Sequence, residues 1–163
     1  MKQSTKTEYL RSAIFGFNDA LVSTTGVIVG VSTGTNNKEV VILAGVVTIM
    51  VEALSMGTGQ YLSAKSAHQL TKEGDMKQAI ISGVIMFFSY FIAGLVPLLP
   101  IIIFPVEYSR EITIIAALTG LFILGYVKGK IVKVSPLKSA LEIFVIGGLA
   151  TLIGLGAGIV FGV

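Results

Sequence analysis

The chain alternates long apolar runs with short polar breaks. The runs predict five membrane-spanning helices, over about residues 12–33, 40–63, 79–104, 112–126 and 137–161. A helix rises 1.5 Å per residue, so about 20 apolar residues cross the hydrocarbon layer of a bilayer. The fold class that follows is an all-α polytopic membrane protein, with residues 1–163 forming one transmembrane domain. The first run is the most polar: Asn18, Asp19, Ser23, Thr24 and Thr25 interrupt it. Such a helix should line something wet or pack against protein rather than face lipid. Gly26, Gly30 and Gly34 recur every four residues along it, a stripe of small residues that lets another helix, or a second subunit, approach closely. At helical spacing Gly16, Asp19 and Ser23 lie on the same side as this stripe.

Two further features concern the breaks. Pro97, Pro100 and Pro105 punctuate the end of the third run. Proline removes a backbone donor, which predicts a break near residues 96–100 and then an irregular or re-entrant tail. Residues 64–78 read as a polar loop carrying Lys65, His68, Lys72, Glu73, Asp75 and Lys77. It is too short for a separate domain, although it can extend the flanking helices.

Composition sharpens the membrane reading. Only 13% of residues are charged, against about 25% in an ordinary soluble domain, and 53% are hydrophobic. Cysteine is absent, which excludes disulfides and thiolate metal sites, and the single histidine excludes an all-imidazole centre. The basic start shows no convincing cleavage site, so no signal peptide is expected. Five spans put the termini on opposite sides. With the N-terminus inside, ten of the twelve Lys and Arg residues lie on the inner side and only Lys38 and Arg110 outside. The positive-inside rule therefore predicts a cytoplasmic N-terminus and an outer C-terminus. It also accounts for a pI near 9.2 without a nucleic-acid partner.

The candidate chemistry lies in the first two runs. Glu52 and Met56 are one helical turn apart, and Asp19 sits in the preceding run. A carboxylate at membrane depth costs roughly 2.5–3.5 kcal/mol on insertion scales, so it reads as functional by default. Antiparallel neighbours would place Asp19 and Met56 at one level, roughly 10 Å from the inner end, with Glu52 about one turn deeper. The Gly57-Thr58-Gly59 stretch is expected to bare backbone carbonyls nearby. Carboxylate oxygens with a thioether suit a borderline divalent ion: Fe2+, with Mn2+, Co2+, Ni2+ and Zn2+ as competitors. Weak binding by such a set fits passage rather than storage.

The motifs resemble a known family. Residues 15–30, FGFNDALVSTTGVIVG, are similar to the first helix of the vacuolar iron transporter family, and residues 53–63, ALSMGTGQYLS, to its second. Pro97-Leu98-Leu99-Pro100 and residues 128–142 resemble later segments. The resemblance implies five helices per protomer and a homodimer with its path between subunits. It also implies export of Fe2+, often with Mn2+, from the cytosol by proton antiport. The family's pathway aspartate and methionine fall on Asp19 and Met56, and an acid four residues before that methionine falls on Glu52. Two departures stand out: Ser12 follows Arg11 where many members have an acid, and residues 64–78 are too short for the cytoplasmic metal-capture domain of better-known members.

The partners expected are therefore metal ions, protons, lipid and a second copy of the chain, with no cofactor beyond the transported ion and no nucleic acid. The membrane would be the cell membrane in a prokaryote and a vacuolar-type membrane in a eukaryote. No nucleophile–base pair points to an enzyme. A non-transporting membrane scaffold, with acids used for interhelical bonding, stays open as the alternative, as does a transporter of Zn2+ or Co2+. Glu142 reads as a helix-end acid that snorkels or pairs with lysine. His68, Glu73 and Asp75 read as solvated loop, with a secondary metal site as the alternative, and Glu107 and Glu111 as the rim of the outer mouth.

Overall fold

The computed structural model describes residues 3–72 and 75–162, without the side chains of residues 3, 4, 106 and 107. Five helices account for nearly all of it: α1 (Gln3–Gly34), α2 (Lys38–Thr71), α3 (Met76–Ile103), α4 (Val106–Val132) and α5 (Pro136–Phe161). Each is long and apolar enough to cross a membrane. All five exceed the predicted runs, because the polar flanks continue the helices into the water layers. The stretch predicted as a loop over residues 64–78 is mostly helix, so His68 lies on α2, which ends at Thr71, and α3 begins at Met76. Lys2 and Glu73, and the side chain of Glu107, lie outside the described residues.

The turns are made by local polar chemistry. Asn37 caps α2 by accepting from the Glu39 and Val40 amides at 3.0 and 3.2 Å. Asp75 caps α3 by accepting from Lys77 N at 3.1 Å. These side chains satisfy amide donors that the first turn leaves without intrahelical partners. Lys72 and Lys133 end α2 and α4 in the left-handed region, at φ 53° and 60°.

The predicted break at residues 96–100 is not found: α3 runs through Pro97 and Pro100 to Ile103. Both prolines are buried against protein. Thr113 of α4 donates to the Pro97 carbonyl at 3.1 Å. A proline leaves the carbonyl four residues back without its amide partner, here those of Ala93 and Val96, so the Thr113 bond does not replace a lost one but adds a tie between α3 and α4 where both prolines are packed against protein.

Contacts set the topology. Glu8 of α1 meets His68 of α2 and Gln78 of α3 at one end, and Lys38 donates to the Ile102 and Phe104 carbonyls at the other. The helices therefore alternate in direction, and α1, which touches all four others, is the central element. α2 packs on α3 and α1 and stays largely uncovered elsewhere. Lipid tails are as apolar as leucine, so close packing, not water expulsion, must hold such helices together. The glycines serve that packing. Gly16 rests on Met86 and Ser89 of α3, while Gly26, Gly30 and Gly34 meet α5 at Ala150, Gly154, Gly158 and Gly162. The small-residue face of α1 is thus shared by α3 near its start and by α5 further along, inside one chain.

Candidate functional site

Two apolar clusters frame the site. Ala20, Leu21, Ala53, Tyr90, Ala93, Leu121 and Ile143 form one, with Met56 and Phe17 packed against it; Ile28, Val41, Ile49, Leu98 and Ile101 form the other, further along α1. Asp19 projects beside the first cluster and is partly buried, and Glu52 of α2 lies within electrostatic reach of it. The fully buried Tyr90 belongs to the same neighbourhood. Its hydroxyl lies 2.6 Å from Ser23 Oγ, and Ser23 donates to the Asp19 backbone carbonyl at 2.7 Å. With the single serine proton so used, Tyr90 is the donor in the pair. A relay of hydroxyls thus ties α3 to the turn of α1 that carries Asp19.

Met56 lies one turn from Glu52, toward the end where the chain begins. It lines an open cavity of about 600 Å³ with Arg11, Phe15, Ser55, Gly59, Gln60, Ser63 and Met86. Asp19 and Glu52 do not line this cavity and lie at the adjoining level, further from the end where α1 starts. The polar positions of α2, Glu52, Ser55, Gly59 and Ser63, are exposed and recur at helical spacing, so they form one stripe beside the cavity. Gly57 and Gly59 do not bare their carbonyls by unwinding, because α2 is continuous helix there. Gly57 instead packs against Gly83 and Phe87 of α3.

Among the described residues no three His, Asp or Glu side chains converge into a metal-binding group. One protomer offers a pair of carboxylates and a neighbouring thioether, fewer protein ligands than a four- or six-coordinate ion takes. Three residues outside the predicted set stand out. Tyr90 and Ser23 organise Asp19, and Arg11 lines the Met56 cavity and two neighbouring ones. Tyr90 looks in sequence like any membrane aromatic, and only its burial and its partner set it apart. Of the flanking acids, Asp75 is committed to capping α3, Glu111 pairs with Arg110 at 3.3 Å, and Glu142 lines a cavity with Arg11, Asn18 and Lys128.

Five long apolar helices carrying two carboxylates at mid-span define a multi-pass integral membrane protein with a polar recess on one flank. The sequence profile of the VIT family matches residues 10–75 and 68–159, and the chain belongs to that family. Vacuolar iron transporter homolog 3 of Arabidopsis thaliana is 30% identical, over 94% of this chain and 83% of the relative. Vacuolar iron transporter 1 of Eucalyptus grandis is 26% identical, over 91% and 85%. The profile match divides at residues 68–75, around the end of α2. The Eucalyptus alignment runs over 211 positions, more than the 163 residues here, so that relative carries residues this chain lacks.

Proposed function

We propose that this protein is a metal-ion transporter that carries Fe2+, and with it Mn2+, out of the cytosol in exchange for protons. Asp19, Glu52 and Met56 supply the ligands, and the path runs between two copies of the chain. The observation that carries the reading is Glu52, a carboxylate exposed on the flank of an apolar helix next to a second acid. Lipid will not tolerate it there; water in a pathway, or a second protomer, must cover it. A second copy also doubles the ligand set to four carboxylates and two thioethers, enough for an ion that one protomer cannot surround. The thioether favours a transition ion over Mg2+ or Ca2+. The relatives, named for vacuolar iron transport, point the same way. Protons can replace the departing cation on the carboxylates, which would couple the two fluxes.

The cytoplasmic N-terminus belongs to the same proposal. Nine described Lys and Arg residues gather at the end of the bundle where α1 starts, against Lys38 and Arg110 at the other. The metal would enter from that end, past Met56, and reach the acid pair next.

Purified protein in liposomes loaded with an Fe2+-quenched dye tests the proposal. Fe2+ flux should follow an imposed pH gradient, and Asp19→Ala or Met56→Ala should reduce it at least tenfold in protein that still folds. Retained flux in both variants would remove the site assignment. The chain has no cysteine, so Ser55→Cys introduces a single thiol on the exposed stripe. Cross-linking between copies through that thiol reports whether the stripes face each other.

A further inference from the structure

We propose that Glu8 and His68, with Gln78 as a brace, form a second divalent transition-metal site at the end of the bundle where α1 begins. The three residues come from three helices, α1, α2 and α3. Gln78 Nε2 donates to Glu8 Oε2 at 2.7 Å, which orients the carboxylate. The same oxygen lies 3.6 Å from His68 Nε2. Two ligand atoms bound to one tetrahedral ion at 2.0–2.2 Å are about 3.4 Å apart, so a small adjustment brings both into one coordination sphere. The side chains are 17% and 19% exposed.

The local polar balance points to a missing ligand. Glu8 Oε1 and His68 Nδ1 are both shut off from solvent and have no hydrogen-bond partner among the described residues. Buried polar atoms are normally satisfied, and each that is not calls for an unseen water or ion. A cavity of about 480 Å³ is lined by Glu8 and His68 together with Arg11, Gln60 and Ser63. A water occupies about 30 Å³, so the space holds an ion with several waters.

The charge balance selects the class of ion. Arg11 shares the cavity with Glu8, so the recess carries little net negative charge. Mg2+ and Ca2+, held by oxygen charge, gain little there, whereas a transition ion gains a nitrogen ligand. Arg11, Gln60 and Ser63 line both this cavity and the one beside Met56. The site therefore sits at the mouth of the recess that leads to the acid pair. A capture role in transport rests on the function proposed above; the metal binding itself does not.

His68 is the chain's single histidine, which makes it its own reporter. Protein labelled with 15N-histidine in nanodiscs is titrated with Co2+, and the imidazole resonances are followed by NMR. The expected result is saturable broadening of the ring signals within the first equivalents of metal, unchanged in the Asp19→Ala/Met56→Ala double variant. Glu8→Gln should raise the Co2+ concentration required at least tenfold, and Glu8→Asp should raise it less. Broadening only at large metal excess, or a Glu8→Gln titration superimposable on wild type, would overturn the site in favour of cavity water and adventitious imidazole binding. Loss of the broadening in the double variant would also overturn it, by tracing the signal to the membrane acids. Intact Co2+ binding at His68 in a wild-type protein without metal flux would remove the transport reading and leave this site standing.

Discussion

Alanine at Gly158 and alanine at Gly156 should have opposite effects on stability, although the two positions are two residues apart on α5. The intrinsic effect is the same at both: alanine is favoured over glycine inside a helix by about 1 kcal/mol. The surroundings differ. A Cβ on Gly156 meets nothing within 4 Å. A Cβ on Gly158 would press on the Gly30 carbonyl oxygen and lie 2.7 Å from Thr33 Cβ. Ordinary carbon contacts sit at about 3.5–4.0 Å, so α1 and α5 would have to part by close to 1 Å along that stretch. The backbone oxygen cannot rotate aside as a side chain would. Overpacking of this kind costs about 1–3 kcal/mol, and the propensity gain offsets part of it. Gly156→Ala should therefore be neutral or stabilising by up to about 1 kcal/mol, and Gly158→Ala destabilising by up to about 2 kcal/mol. Gly30→Ala, whose Cβ would sit 2.9 Å from the Gly154 oxygen, should fall between them. SDS-induced unfolding of the detergent-solubilised protein, followed by far-UV circular dichroism, measures the differences. Equal effects at Gly156 and Gly158 would refute the reasoning, because they would show that α5 does not lie against α1 at this spacing.

Two more expectations concern the hydroxyls that bind helices to one another. Tyr90→Phe removes the donor to Ser23 at the level of Asp19 and should cost about 1 kcal/mol of stability in the same SDS assay; its Fe2+ flux should fall less than that of Asp19→Ala, and a Tyr90→Phe protein as inactive as Asp19→Ala would mean the hydroxyl itself contacts the cargo. Thr113→Val keeps the shape but loses the bond to the Pro97 carbonyl, so it should also cost about 1 kcal/mol, and an unchanged unfolding midpoint would mean that this bond does not help hold α4 to α3.

Much of the site was readable from residue types. Asp19 and Glu52 stood out because a charge within an apolar run is costly wherever the chain folds, and the relation of Glu52 to Met56 follows from helical geometry alone. The glycine stripe of α1 was legible as a close-packing surface, but its partner was not: nothing in Gly26, Gly30 and Gly34 says that α5 rather than a second subunit meets them. The prolines misled, since their effect on a helix depends on what surrounds it. Pro97 and Pro100 stay within a continuous helix where they are buried against other helices. His68 looked like loop because polarity marks the edge of the membrane, whereas the helix ends a turn later, at Thr71.

The chain's own pattern determined what is local and what is set by the solvent: five helices, their alternation across a bilayer, the costly acids and the excess of basic residues at one end. Each of these follows from a property of a residue and its near neighbours, or from the free energy of moving them into lipid. The tertiary structure alone decided which surfaces meet. Glu8 is ordinary in a polar N-terminal stretch and becomes part of a buried cluster only when His68 and Gln78 arrive from 60 and 70 residues away. Tyr90 gains its role from Ser23 across two helices. Such contacts depend on how helices cross, and crossing is fixed by packing among side chains far apart along the chain, which the apolar–polar pattern does not encode.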